Sequence, residues 1–144
     1  MKYKNEIKIN LPVAKVIELF DNPDNLKHWQ PGLISFEHLS GTPGQPGAKS
    51  KLTFQHGKNK REMIETVTVR NLPKEFSGTY EMNGAWCSVR NFFEKGENNA
   101  TIYKSETEFR LSGFLKVIGW LIPGGFKKQT QKFLENFKAF AEKQ

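Results

Sequence analysis

Apolar positions along this chain change period several times, and the changes mark its elements. Near the start, Tyr3, Asn5, Ile7 and Ile9 alternate with Lys4, Glu6, Lys8 and Asn10, the period of two expected of a strand with one wet face. In LPVAKVIELF the period lengthens: Val13, Val16, Ile17 and Phe20 fall on one helical face, with Pro12 at a position suited to a helix start. Asp21 to Asp24 closes that helix. Asn22 or Asp24 can cap a second, short helix through Leu26 and Trp29, which Pro31-Gly32 stops.

From Leu33 onward strands and turns alternate. The turn cluster GTPGQPG, Gly41 to Gly47, separates LISFEHLS from AKSKLTFQH, and Met63, Val67 and Val69 share a parity in the next strand. Phe76, Gly78, Tyr80 and Met82 alternate with Glu75, Ser77, Thr79 and Glu81, and Tyr103, Ser105, Thr107, Phe109 and Leu111 alternate with Lys104, Glu106, Glu108 and Arg110. Asn83-Gly84 and the stretch Gly96 to Asn99 supply hairpin turns. AWCSVRNFFEK, Ala85 to Lys95, carries large apolar residues on both parities, so its inward face stays open. The chain closes on Gly125 to Lys143, where Phe126, Thr130, Phe133, Leu134, Phe137, Phe140 and Ala141 form one helical stripe opposite Lys127, Lys128, Gln131, Lys132, Glu135 and Lys138. A helical start near Phe114, with a kink at Pro123-Gly124-Gly125, is a further option. The predicted order is a strand, two short helices, six strands in meander and a long terminal helix, an α+β arrangement.

A length of 144 residues fits one domain spanning 1–144, and 12 phenylalanines predict a bulky, weakly polar interior. The single cysteine, Cys87, excludes an intrachain disulfide and a cysteine-based metal cluster; it is read as a small buried hydrophobe or as a reactive thiol, and it fits a cytoplasmic location. The N-terminal MKYKNEIKIN lacks the apolar core of a signal peptide, and the apolar run from Phe114 to Ile122 is too short to span a bilayer. His28 and His38 show no metal-site spacing with carboxylates or Cys87, and no cofactor is expected.

The net charge of +7 changes the picture little, because the lysines are dispersed and alternate with core positions. We expect no specific nucleic-acid partner, and at most weak electrostatic contact with a membrane surface. Binding to DNA or to anionic vesicles should be independent of sequence and gone by about 0.2 M salt; sequence-selective binding surviving that salt in a titration would refute this. The glycine-rich turn before Lys49 and Ser50 is not a phosphate-binding loop, since Ala48 breaks the required Gly-Lys-Ser succession and a strand follows where a helix is needed.

The order of elements, together with INLPVAKVIELF, WQPG, GTPGQPG and the closing ETEFRLSGFL and FKKQTQKFLENFKAFAEK, resembles the START-like (SRPBCC) superfamily along essentially the whole chain. That superfamily includes polyketide cyclase/dehydrase-like proteins, birch-pollen-allergen-like proteins and lipid-transfer domains. The resemblance implies a helix-grip fold: a strongly curved antiparallel sheet of about seven strands wrapped round the terminal helix, with an elongated apolar cavity between them. It carries over no catalytic set, because the superfamily has no invariant one.

Candidate site residues are therefore polar or aromatic groups in phase with the core. Glu65, between Met63 and Val67, should point inward, where desolvation raises a carboxyl pKa and suits it to proton transfer; a bulge turning it outward, or a structural hydrogen bond to Tyr80 or Arg90, is the competing reading. His56 shares the parity of Leu52 and Phe54 and is a candidate base, though it sits at a strand end. Tyr80 and Tyr103 could aim hydroxyls at a ligand or serve the core. Trp29 and Trp120 lie where the resembled fold places a cavity mouth, as gate or as packing, and Phe133 and Phe137 are the ligand-facing aromatics of the terminal helix.

Three functions fit this reading. The first is binding or carriage of a hydrophobic or amphipathic small molecule in the cavity. The second is a cyclase or dehydratase using Glu65 with the cavity tyrosines. The third is a protein-interaction module, because relatives of this general fold include activators of a heat-shock chaperone ATPase, although nothing in the sequence marks the surface for it.

Overall fold

The alternating N-terminal segment forms strand β1 (Lys2–Ile9), with Asn5 and Ile9 buried and every lysine exposed. The computed structural model describes residues 1–112 and 125–144. After β1 come helix α1 (Val13–Phe20), a single 3-10 turn (Pro23–Asn25) and the one-turn helix α2 (Leu26–Trp29). Pro12 takes the N-cap position of α1, and of the two cap candidates it is Asn22 whose side chain accepts the Asp24 amide at 3.0 Å. Six strands follow: β2 (Leu33–Ser40), β3 (Lys49–His56), β4 (Asn59–Asn71), β5 (Glu75–Met82), β6 (Ala85–Lys95) and β7 (Thr101–Leu111). Helix α3 (Gly125–Ala141) closes the chain, while the expected start near Phe114 and the kink at Pro123-Gly124-Gly125 lie outside or at the edge of the described residues.

All seven strands join one antiparallel sheet in the order β1-β7-β6-β5-β4-β3-β2, so each successive hairpin adds a strand and β7 returns to pair with β1. This is the helix-grip layout. The positive φ of Gly41 and the 2.9 Å that would separate a Cβ there from the Ala48 Cα show why the β2–β3 connection needs glycine.

Register settles which face of each strand is inward. In β6, Ala85, Cys87, Val89, Asn91 and Phe93 share the inner face with their β7 partners Leu111, Phe109, Thr107, Ser105 and Tyr103. The outward aromatics that obscured the pattern are covered instead by guanidinium groups: Arg110 lies 4.6 Å from the Trp86 ring centroid and Arg90 4.9 Å from that of Phe92. One parity reading is corrected. A bulge between Val67 and Val69 carries Val69 opposite Ser77, on the outward row of β5, and aligns Arg70 with inward Phe76. Arg70 then reaches Asp21 at the end of α1 through two hydrogen bonds of 2.6 and 2.8 Å, tying the helical segment to the sheet.

The apolar core lies at one end of the inner face. Ile9, Val16, Leu19, Trp29, Phe93, Tyr103, Leu134, Phe137 and Ala141 are buried together, with Phe20 at the centre of ring contacts to Trp29, Phe76, Phe93, Tyr103 and Phe137. Helix α3 leans mainly on β1 and α2, so its aromatic stripe completes this end of the molecule.

Candidate functional site

Beyond the aromatic core, the inner face continues as a row that crosses the sheet: Ser50 on β3 pairs with Glu65 on β4, Glu65 with Tyr80 on β5, Tyr80 with Cys87 on β6, and Cys87 with Phe109 on β7. Opposed residues on one face of a sheet have Cβ atoms about 5 Å apart, so these groups form one contiguous strip. Glu65, Tyr80, Cys87 and Phe109 are only half-buried, in contrast to the sealed Phe93, Tyr103 and Phe137. In the next row, Gly78 lies between Val67 and Val89 and adds no side chain, and a Cβ there would meet the Thr66 carbonyl at 3.0 Å. From Glu65 to Phe109 the row is thus a partly accessible stretch of the concave face, while Ser50 at its end is buried.

Its electrostatics are those of a weakly solvated polar strip. Burial raises the pKa of the Glu65 carboxyl above its ordinary value, and a hydrogen bond with Tyr80 offsets part of the rise. Burial likewise pushes the Tyr80 phenol well above its usual value, with smaller contributions in the same direction from Glu65, Cys87 and Tyr103. The Cys87 thiol is pushed up to about 12 by burial, which makes it a neutral, unreactive thiol and not a nucleophile. Glu65 is therefore the one carboxyl in the row with a basicity shifted towards neutrality, and Tyr80 lies directly opposite it on β5. The bulge of β4 falls after Val67, so it does not turn Glu65 outward, and Arg90 pairs with Glu75 instead of Glu65.

The remaining candidates are dispersed. His56 is exposed at the end of β3 with its ring over Gly32, where a Cβ would fall 2.5 Å from Cε1. It lies six positions from Ser50, roughly 20 Å along the strand, so it is not a partner of Glu65. The inward parity does not bury it there, because the strand end has run past the core. Trp29 is 7% exposed and packs its ring against Phe20 and Phe137, with centroids at 6.0 and 5.1 Å, as part of the aromatic core. Tyr103 is buried, and its hydroxyl is already committed to Asn91 Oδ1 at 2.7 Å. Phe137 is 0% exposed inside the ring cluster, whereas Phe133 remains half-buried. Trp120 lies outside the described residues.

Periodicity did not single out Ser50 as the neighbour of Glu65, or Cys87 as a member of its row beyond Tyr80, since cross-strand register alone brings them there. Asn5, Ser105 and Thr107 were in phase with core residues and so were legible as inward polar groups. Among the described residues no cluster of three or more His, Cys, Asp or Glu could hold a metal ion, and no helix is long and apolar enough to cross a membrane.

A seven-stranded sheet gripping a C-terminal helix, with an accessible polar strip on its concave face, defines a START-like domain. The chain belongs to the family described as polyketide cyclase/dehydrase and lipid transport, whose model matches residues 1–142. Comparison with curated proteins gives no significant match. Among solved structures, the chain is similar to a conserved protein from Geobacillus kaustophilus at 19% identity and TM-score 0.82, covering 99% of this chain and 96% of that one. It is also similar to Ara h 8.0201 at 14% identity and TM-score 0.78, covering 100% and 99%. Norcoclaurine synthase from Thalictrum flavum, in complex with dopamine and hydroxybenzaldehyde, is similar at 15% identity and TM-score 0.72, covering 99% and 87%.

Proposed function

We propose that this protein binds a hydrophobic or amphipathic small molecule on the concave face between the sheet and α3. The observation that carries the reading is the contrast within one inner face: the aromatic end is sealed, while Glu65, Tyr80, Cys87, Val89 and Phe109 stay half-buried. Apolar surface left partly accessible on a concave face is the usual signature of a ligand site, with a few polar groups to orient what binds. Family membership, spanning cyclases, dehydrases and lipid transport, supports the same chemistry of bulky apolar ligands. Thermal-shift measurements against fatty acids, sterols, flavonoids and polyketides test it. A ligand at about 100 times its dissociation constant should add roughly 2.7 kcal/mol to the apparent stability. A panel in which no compound moves the melting temperature would sink the reading.

The second reading, a cyclase- or dehydratase-type enzyme, is favoured by Glu65: its carboxyl pKa is raised and it sits beside the Tyr80 phenol in the accessible row. Such a pair can take a proton from a bound substrate at the carboxylate while the phenol hydrogen-bonds an adjacent oxygen. The structural likeness to norcoclaurine synthase, crystallised with two small aromatic compounds, is consistent with aromatic ligands in this fold.

A further inference from the structure

Next to the accessible row, β1 and β7 present a seam of buried neutral polar groups. Asn5 pairs with Ser105, which pairs in turn with Asn91, and Tyr3 pairs with Thr107, which pairs with Val89. Asn5, Ser105 and Thr107 are 5%, 1% and 4% exposed, yet among the described residues Asn5 Oδ1, Ser105 Oγ and Thr107 Oγ1 have no hydrogen-bond partner. Buried polar atoms without partners cost stability, and three on adjacent positions are unusual unless something else engages them. The orientation of the Asn5 amide is set by its donors: Nδ2 donates to the Lys127 carbonyl at 3.1 Å and to Gln131 Oε1 at 2.9 Å, which leaves Oδ1 as an acceptor.

The cover over the seam is lightly held. The fully buried residues of α3, Leu134, Phe137 and Ala141, all lie in its C-terminal half. The half from Gly125 to Gln131 rests on the seam through the Asn5 bonds, a bond from Gln131 Nε2 to the Glu6 carbonyl of 3.2 Å, the Tyr3–Thr130 hydroxyl contact of 3.0 Å and the stacking of Phe126 on Phe109, with no fully buried side chain of its own. Thr107 borders half-buried Val89 and is two positions from half-buried Phe109, so a ligand lying along the accessible row ends at the seam.

We propose that the seam binds the hydroxyl group of an otherwise apolar ligand, and that the N-terminal half of α3 lifts to admit it. This rests on the ligand-binding reading and narrows its ligand class. A hydroxyl is the group that fits: it donates to Asn5 Oδ1 and accepts from Ser105 or Thr107. Among the described residues no charged side chain belongs to the seam, and Lys127 contributes its carbonyl, so an ionised head group would be desolvated there without a counter-charge from them.

The test uses 2-naphthol and naphthalene as probes, the wild-type chain, Ser105→Ala, and the double variant with Thr107→Val. In the wild type both probes bind. In the double variant the preference for naphthol over naphthalene should fall about tenfold, the worth of one to two net hydrogen bonds, and in Ser105→Ala by an intermediate factor. Without ligand, the double variant should melt roughly 2–5 °C higher, because two unpartnered hydroxyls have been removed. An unchanged preference overturns the proposal while leaving the ligand-binding reading intact. A lower melting temperature, or failure to fold, also overturns it, because the hydroxyls then serve the fold. If neither probe binds the wild type, the seam proposal and the broader reading for aromatic ligands fall together.

Discussion

Replacing Phe137 with alanine should destabilise the protein by about 3–5 kcal/mol, the usual cost of deleting a fully buried aromatic ring. Phe137 is 0% exposed, and the centroids of Phe20, Trp29 and Tyr103 lie 5.8, 5.1 and 6.0 Å from its own. Those rings come from α1, α2 and β7, so truncation leaves a cavity where the helices meet the sheet, and rigid rings fill such a gap poorly. Phe140, one turn on, is half-buried and stacks on exposed His28, so Phe140→Ala should cost markedly less. Urea denaturation of the two variants checks the contrast. A loss below about 0.5 kcal/mol at Phe137 would mean that α3 is not a core element.

Glu65→Gln carries the other large effect. If the protein catalyses a reaction through Glu65, the variant should keep its ligand affinity within a few-fold yet lose about 10²–10⁴ in turnover, the share general acid–base catalysis normally supplies. If the protein only binds, the variant should alter affinity alone. The same substitution has a signature that needs no ligand. Because burial raises the carboxyl pKa above its ordinary 4.5, the folded state holds a proton that the unfolded chain releases as pH climbs past that value. Stability is therefore lost as pH rises through the folded pKa, the opposite sense to an ion-paired carboxylate. Glutamine does not titrate but can still accept from Tyr80, so the variant should gain on the wild type from about pH 4 towards neutrality. Paired melting curves across that range check the sign; a wild type that gains on the variant as pH rises would show that Glu65 is stabilised as a carboxylate.

Much of this was present in the amino-acid order. The strand periods of β1, β5 and β7, the helical period of α1 and α3, and the turn residues between them follow from side-chain geometry within each element, which depends on neighbours only a few residues away. Glu65 was legible as an inward carboxylate for the same reason, and so was the inward parity of Asn5, Ser105 and Thr107. Period alone failed where a local rule met a tertiary event. The bulge after Val67 turned Val69 outward and placed Arg70 opposite Phe76, in reach of Asp21, and the end of β3 left inward-phased His56 in water. The face of β6 was ambiguous because Trp86 and Phe92 are as apolar as any core residue; only guanidinium groups from a neighbouring strand position and from β6 itself make an outward aromatic tolerable. Which inward residues seal a core and which stay accessible was decided by the placement of α3 over β1 and α2. That placement buries Phe137 and Trp29 and leaves Glu65, Tyr80 and Cys87 half-covered. It depends on contacts between residues far apart in the chain, which no local pattern encodes.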